Sequence, residues 1–369
     1  MTENNNGSVQ TPVNAERAVR QRIKLWLQRT KYTDFVAEIQ QNVIGNTDAI
    51  ETLCLSIWLY LERIGKGLPN DSNVFLIGSS GSGKTELYRQ LKRYFERELY
   101  FLPVCHKDAS QLSRVSYVGA EPASIVDYLI DHYHTNGIGF VFCDEWDKLL
   151  KSHPTSSGDD PGHTLQYQML CILEGSTIKG ENTKEGQPVH SINTGNTLFV
   201  GMGSCMDIRE QKSLNKKHKM GFSSIAEDNA SDDEIITRED LLNNGATAEL
   251  LGRFGTIINL KRLDDDEIRK VITLLVKSEE ESIDIPIELA PSMVDKLLED
   301  RDSPMGVRMY RSRIHDRLLG VMKKIKRGCY YKENIEKIYL SEEGDEIIQN
   351  FVPFKEANTN KNVQSQKIV

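Results

Sequence analysis

The chain has 369 residues, enough for two or three cooperative units, and its 38% hydrophobic and 27% charged residues are typical of a globular protein. The longest apolar stretch, LCLSIWLYL, is too short to cross a bilayer, and the polar start MTENNNGSVQ lacks the features of a secretory signal. The net charge of −8 disfavours binding to a phosphate backbone, and the six cysteines contain no C-x-x-C pair of the kind found in zinc modules. We therefore predict a cytoplasmic protein without a membrane segment, a disulfide framework or a structural zinc site.

Residues 1–42 are predicted to form a polar N-terminal extension. Within it, ERAVRQRIKLWLQRTK at residues 16–31 has a helical pattern and is strongly basic. This helix is either a solvated face beside an apolar one or a local patch for nucleic acid, and the sequence leaves both interpretations open.

Strand and helix patterns alternate after this extension. The helical pattern TDAIETLCLSIWLYLERIG ends at Gly65, the strand NVFLIG follows, and a helix begins at Lys84. The strand-like runs YFLPV, IGFVFC and NTLFVGM then alternate with helical runs. This alternation predicts an α/β fold with a parallel sheet that helices cover on both faces.

Strand signals become sparse after INLKRLDDDE, where residues 263 to about 330 have helical patterns and IEKIYL offers one short strand. We predict a large α/β domain at residues 43–261 and a small, mainly helical domain at 262–354. The polar residues 355–369 are predicted to be a disordered tail.

The strongest chemical signal is GSSGSGKT, which fits the P-loop pattern and lies between a strand and a helix. Its backbone N–H groups and the helix N-terminus suit the phosphates of a nucleotide, Lys84 suits the outer phosphates, and Thr85 suits a magnesium ion. The motif predicts a site for ATP and Mg²⁺ made by Gly78, Ser79, Ser80, Gly81, Ser82, Gly83, Lys84 and Thr85.

An acidic pair follows the buried strand pattern GFVFC. Asp144 and Glu145 would emerge at the carboxyl end of this strand, on the same sheet edge as the P-loop. We expect Asp144 to act on the magnesium ion and Glu145 to polarise the attacking water as general base. Together with the P-loop, this pair predicts an ATPase.

From about Val43 to Leu319 the chain resembles AAA+ ATPases of the Clp/Hsp100 superfamily, in particular the ClpX-like unfoldases. The segment VIGNTDAIETL is similar to the one that holds adenine in that family, which implies contacts from Val43 and Ile44. LQYQMLCILEGSTI resembles the helix that follows the acidic pair, and NTLFVGMGSC resembles the sensor-1 strand, with Ser204 as its candidate residue.

Two arginines take their expected roles from the same resemblance. ELLGRFGTIINL is similar to the arginine-finger segment, so Arg253 would reach the γ-phosphate held by a neighbouring subunit of a ring hexamer. MGVRMYRSRI is similar to the sensor-2 helix of a small lid domain, so Arg308 would contact the nucleotide. An ordinary surface ion pair remains the alternative for each arginine taken alone.

The stretch VSYVGAEPAS is similar to the pore loop of the family, in which an aromatic residue grips an extended polypeptide. The resemblance implies that Tyr117 and Val118 contact polypeptide substrates in the central channel. The family pattern begins with glycine where this chain has Ser116, and a buried core position remains the alternative for Tyr117.

Two departures from the ClpX-like pattern concern partners. We expect residues 1–42 not to form the family's zinc-binding N-domain, because they contain no cysteine. Met220, Gly221 and Phe222 are similar to the tripeptide that docks such ATPases onto a ClpP-like peptidase, but they stand equally well for a loop with no docking role.

The sequence thus predicts a homo-hexameric, ATP-driven protein unfoldase. The alternatives are a remodeller of a nucleoprotein complex or nucleic-acid motor without a peptidase partner, and a scaffold whose nucleotide only controls assembly.

Overall fold

A computed structural model describes residues 12–112, 121–151, 160–180, 190–220, 234–301, 303, 305–329, 331–350 and 363–367. The chain divides into two compact units, one made of residues 1–79 and 83–262 and the other of residues 80–82 and 263–369. Among the described residues, no helix has both the length and the apolar character that crossing a membrane requires.

The first unit contains a parallel sheet, helices and one short hairpin. In chain order its elements are α1 (Pro12–Arg29), α2 (Tyr32–Asn42), α3 (Thr47–Gly65), β1 (Asn73–Ile77), α4 (Lys84–Glu98), β2 (Val104–Asp108), α5 (Asp127–Asp131), β3 (Gly139–Asp144), α6 (Pro161–Gly175), β4 (Thr177–Lys179), β5 (Ser191–Asn193), β6 (Thr197–Gly203), α7 (Met206–Met220), α8 (Arg238–Asn243), α9 (Ala248–Gly252) and β7 (Phe254–Asn259).

The sheet of the first unit has the strand order β2-β3-β6-β1-β7, and every neighbouring pair is parallel. This confirms the predicted α/β fold class. The edge strand β2 begins at Val104, later than the predicted YFLPV strand. Pro103 cannot donate a ladder hydrogen bond, and Leu102 is buried in the core ahead of the strand instead.

Alternate residues of the inner strands supply the two cores of this unit. In β1, Val74 and Leu76 point into a core that α1 to α4 cover. Phe75 and Ile77 point to the opposite face, into a core that includes residues of α5 to α9. Because both faces are buried, the inner strands are apolar at nearly every position, as parallel sheets require.

Helix α1 belongs to the same core, although the sequence places residues 1–42 in a separate extension. Val19, Ile23 and Trp26 are buried among the residues that cover one face of the sheet. Its basic side chains find partners within this unit as well. Arg20 donates to Glu16 and to the Ile64 carbonyl, and Arg22 lies over the ring of Phe101 at 4.2 Å.

The second unit combines helices with a second sheet. Its elements are α10 (Asp265–Ile283), β8 (Ile287–Leu289), α11 (Pro291–Glu299), α12 (Val307–Lys324), β9 (Ile335–Leu340), β10 (Glu346–Asn350) and β11 (Val363–Lys367). The strand order is β11-β10-β9-β8, with β8 and β9 parallel and the other pairs antiparallel.

This sheet differs from the expectation of one short strand followed by a disordered tail. The polar strand β11 pairs along the whole of β10, so residues 363–367 within the predicted tail have regular structure. Backbone hydrogen bonds to an open sheet edge hold such a strand, and the composition of its side chains does not reveal them.

Candidate active site

The loop that follows β1 is held at the carboxyl end of the parallel sheet. The Gly78 N–H donates to the Gly203 carbonyl at the end of β6, at 3.0 Å. Gly83 has φ +96, a left-handed conformation that a side chain rarely adopts, and it precedes the first turn of α4. The Lys84 ammonium folds back over the loop and donates to the carbonyls of Gly78 and Ser79.

This loop contains polar groups that the protein leaves without complementary partners. Burial lowers the pKa of Lys84 to about 8, although the nearby carboxylates of Asp144 and Asp147 oppose that shift. The hydroxyls of Ser79 and Ser82 are buried and have no hydrogen-bond partner among the described residues. Buried polar groups of this kind are costly unless a ligand completes them.

The acidic pair lies where strand β3 ends. Asp144 is the last residue of β3, and its Oδ1 accepts a hydrogen bond from the Glu145 N–H at 3.0 Å. Glu145 has φ +54, which is uncommon for a residue with a side chain, and it is exposed. Because of this turn, Glu145 lies just outside strand β3, at the carboxyl end of the sheet, where the loop after β1 also lies.

Asp147 connects the acidic turn to the end of β6 and was not singled out from the sequence. Its Oδ2 accepts hydrogen bonds from the Cys205 N–H at 2.9 Å and from the Ser204 hydroxyl at 3.4 Å. Gly203 makes room for this contact, because a Cβ there would lie 2.7 Å from Asp147 Oδ1. Asp147 thereby holds Ser204, the predicted sensor-1 residue, next to the end of β3.

Arg209 is a second residue that the sequence analysis missed. It is buried, and its guanidinium donates to the carbonyls of Ser204 at 3.3 Å and Glu234 at 3.2 Å. Its positive charge contributes to the lowered pKa of Lys84, so it adds to the positive potential around that ammonium. The burial and contacts of Arg209 could not be predicted from its neighbours in sequence, because the Glu234 carbonyl comes from a distant segment.

Arg253 lies apart from this loop, directly before β7. Its guanidinium forms an ion pair with Glu174 at the end of α6, and both side chains are about half exposed, at 48% and 40%. Within one chain, Arg253 thus forms the surface ion pair that was the alternative to a finger role. Exposed pairs of this kind add little stability.

The remaining predicted residues lie elsewhere or outside the described part of the chain. Val43 is buried in the core beside α3, and Ile44 is half-buried. Arg308 is exposed near the start of α12 in the second unit. Met220 ends α7, whereas Tyr117, Val118, Gly221 and Phe222 lie outside the described residues.

Residues 70–257 match the family described as AAA domain (Cdc48 subfamily). The chain belongs to this AAA family. It is also similar to the ATP-dependent Clp protease ATP-binding subunit ClpX of Bacteroides fragilis, at 27% identity over 78% of this chain and 75% of the relative. The protein of the same name from Bacteroides thetaiotaomicron is 28% identical with the same coverage. That of Borrelia duttonii is 28% identical over 64% of this chain and 59% of its own length.

Membership of the AAA family, together with these relatives, makes the protein an ATPase and confirms the resemblance inferred from the order of the motifs. The residues present fit a nucleotide with Mg²⁺. Ser79 and Ser82 offer buried hydroxyls that no described residue hydrogen-bonds, and Lys84 offers a charge that the loop carbonyls only partly satisfy. Asp144 and Thr85 have side-chain oxygens of the type that Mg²⁺ takes beside phosphates.

Proposed function

We propose that this AAA ATPase is a protein unfoldase that works as a homo-hexameric ring and moves polypeptide through a central pore. The observation that carries the proposal is the order of the motifs along a chain that aligns with 75% of the length of ClpX relatives. Strand order supports it, because the P-loop follows β1 while the acidic pair and Ser204 follow β3 and β6 at the same sheet edge.

In this proposal Lys84, the loop N–H groups and Thr85 hold the nucleotide, and Asp144 holds Mg²⁺ with Thr85. ATP with Mg²⁺, when bound, supplies the phosphoryl group whose transfer to water releases free energy. Glu145 accepts a proton from the attacking water at a carboxylate oxygen, a role that its exposed position after β3 allows. Asp147 ties Ser204 and Cys205 to the turn that carries Glu145 through the two hydrogen bonds described above.

The proposed role of Arg253 requires a neighbouring subunit of the ring. Arg253 would leave Glu174 and donate to the outer phosphate bound by a neighbouring subunit, where a planar guanidinium stabilises the transition state. Arg308 would contact the nucleotide from the second unit, and Val43 and Ile44 would border the adenine. Tyr117 and Val118 would grip the substrate, since a tyrosine ring offers broad apolar contact with few rotatable bonds.

The basic helix α1 favours this proposal over a nucleic-acid motor. Three of its arginines have partners inside the first unit, namely Arg20, Arg22 and Arg29, which pairs with Glu98. Trp26, which lies one helical turn from both Arg22 and Arg29, is buried in the core and anchors the helix there. A helix held in this way has fewer free cations for phosphates than its sequence suggested.

The test is capture of substrates by a Glu145→Gln ring, which should bind ATP and retain the chain being processed. We expect assorted polypeptides to be captured with ATP, to resist nuclease, and to be lost from the double variant Glu145→Gln/Tyr117→Ala. Tyr167→Ala, which removes an exposed tyrosine of α6, is the matched control and should leave capture unchanged. Capture of nucleic acid that nuclease destroys would contradict the proposal.

A ClpP-like peptidase is the proposed recipient of unfolded chains. In the same capture experiment Phe222→Ala should release such a peptidase and leave the polypeptides bound, because an apolar hook in a shallow pocket contributes much of the docking energy. If no peptidase is captured with or without this substitution, Met220, Gly221 and Phe222 have no docking role.

A further inference from the structure

Side chains from two other elements fix the backbone around Arg253. The Arg253 carbonyl accepts hydrogen bonds from the backbone N–H and the Nδ2 of Asn73, both at 3.1 Å. Arg238 of α8 donates to the carbonyls of Leu251 at 2.6 Å, of Phe254, and of Gly255 at 3.3 Å. The peptide groups before, at and after Arg253 are therefore all held by side chains distant in sequence.

Asn73 is buried, with 3% of its surface exposed, and its side-chain oxygen accepts two hydrogen bonds. Its Oδ1 accepts from the Phe199 N–H of β6 at 3.1 Å and from Asn70 Nδ2 at 2.9 Å. Because its Nδ2 faces the Arg253 carbonyl, the amide has one favourable orientation. Buried, satisfied networks of this kind keep a backbone in one place.

The position of Asn73 connects Arg253 with the P-loop. Asn73 is the first residue of β1, and all five residues of this strand are buried. The loop with Lys84 follows the other end of the strand, about 17 Å away at the usual rise per residue. One rigid strand thus carries the P-loop at its carboxyl end and supports the Arg253 peptide at its amino end.

We infer that Asn73 and Arg238 are positioning residues for Arg253, which set the place from which its guanidinium reaches a neighbouring subunit. This inference rests on the proposed function, in which Arg253 completes a neighbour's nucleotide site. The ion pair with Glu174 orients the guanidinium within the chain, whereas Asn73 and Arg238 act on the backbone and hold it when that pair opens.

A positioning role and a merely structural role affect different subunits. If Asn73 only stabilised β1, its loss would damage the nucleotide site of the same subunit. If Asn73 positions Arg253, its loss damages the neighbour's site and leaves its own site intact. Subunit mixing separates these two cases.

The experiment mixes each variant in equal amounts with Glu145→Gln subunits, which are inactive but carry an intact Arg253. Asn73→Asp keeps the size of the side chain and turns an oxygen toward the Arg253 carbonyl, and Arg238→Met removes the exposed guanidinium. Alone, each variant should hydrolyse ATP at least about tenfold more slowly with an unchanged Kd for ATP.

When each variant is mixed with Glu145→Gln subunits, the rate of ATP hydrolysis should exceed the sum of the rates of the two proteins measured separately. The recovered rate should approach about one quarter of the wild-type rate, because one interface in four then pairs an intact nucleotide site with an intact finger. Arg97→Met, which removes an exposed arginine paired with Glu38, is the matched control and should have normal turnover alone.

A parallel mixture of Arg253→Ala with Glu145→Gln distinguishes the possible failures. If that mixture recovers activity and the Asn73→Asp and Arg238→Met mixtures do not, the positioning role is wrong and the proposed function stands. If the Arg253→Ala mixture does not recover either, the finger does not act between subunits and both proposals fall. Should Asn73→Asp not fold or assemble, the surface variant Arg238→Met decides the question alone.

Discussion

The two ends of the parallel strands in the first unit differ in how their polar groups are satisfied. At the carboxyl ends, the hydroxyls of Ser79 and Ser82 are buried without partners among the described residues, and the Lys84 ammonium contacts only loop carbonyls. At the amino ends, Asn73 and Tyr60 are buried and hydrogen-bonded on several sides. The first edge leaves buried polar groups that a ligand could complete, whereas the protein itself satisfies the groups at the second.

Tyr60 illustrates the amino-end arrangement. Its hydroxyl donates toward the Asn196 carbonyl at 2.8 Å and accepts from the Gly139 N–H at 3.1 Å, so one side chain joins α3 to the starts of β3 and β6. Burial raises the pKa of this phenol above its ordinary value, so the hydroxyl remains a donor even in alkaline solution. At these two edges, unpartnered buried hydroxyls accompany the loop proposed to bind a ligand, and satisfied side chains accompany the rigid support behind it.

The largest expected effect is on turnover at the carboxyl edge. Glu145→Gln should lower the rate of ATP hydrolysis roughly 10²–10⁴-fold, because an amide cannot accept the proton of the attacking water. Equilibrium binding of ATP and the melting temperature should stay near the wild-type values, since the Glu145 side chain is exposed and the substitution keeps its size. A variant that hydrolyses ATP at the normal rate would remove Glu145 from the mechanism.

Lys84→Met should come next and should separate binding from stability. Loss of the ammonium should weaken ATP binding roughly 100-fold, the scale of a charged hydrogen bond lost in a buried site. The free energy of unfolding should change little or increase, because the substitution removes a buried charge. Calorimetric titration with ATP and chemical denaturation measure the two quantities, and a large loss of stability would show that Lys84 supports the fold itself.

Tyr60→Phe tests the opposite edge. We expect the free energy of unfolding to fall by about 1–3 kcal/mol, because the change leaves the Gly139 N–H and the Asn196 carbonyl buried without their partner. The affinity for ATP should be unchanged, since the loop at the carboxyl ends keeps all of its contacts. Denaturant titration provides the first value, and a neutral effect on stability would show that the amino edge is less rigid than its hydrogen bonds suggest.

Ser82→Ala should have the smallest effect and is the counterpart of Tyr60→Phe. Removing a buried hydroxyl that has no hydrogen-bond partner in the described part of the chain should change the free energy of unfolding by less than about 0.5 kcal/mol, or raise it slightly. A loss as large as that of Tyr60→Phe would mean that the Ser82 hydroxyl is satisfied in solution, and the contrast between the two edges would not hold.

Local patterns in the sequence were enough to predict the limits of the helices near the P-loop and the presence of the inner strands. The helix predicted to end at Gly65 spans Thr47–Gly65, and the helix predicted to begin at Lys84 begins there. Both have a clear apolar period and end or start beside a glycine, so neighbouring residues determine their limits. The inner strands are found for the same reason, because burial on both faces makes them continuous apolar runs.

The supporting residues could not be found in this way. Asp147 meets Cys205 across 58 positions of sequence, and Asn73 meets the Arg253 carbonyl across 180. Each role depends on which strands become neighbours, and a short polar side chain gives no periodic signal of that choice. The strand at residues 363–367 was missed for a related reason, since its partner is the backbone of β10.

The position of strand β1 also affects how a substitution acts when normal and altered subunits share one ring. In the proposed ring a defect in the P-loop silences the subunit's own site, and a defect at Arg253 silences the site of one neighbour. Since β1 supports both, a substitution that displaces this strand is expected to silence up to two sites for each altered subunit. In a cell that expresses a normal and an altered copy of the gene, lesions that displace the whole of β1 should therefore be more strongly dominant than lesions confined to Lys84, to Arg253 or to the Asn73 side chain.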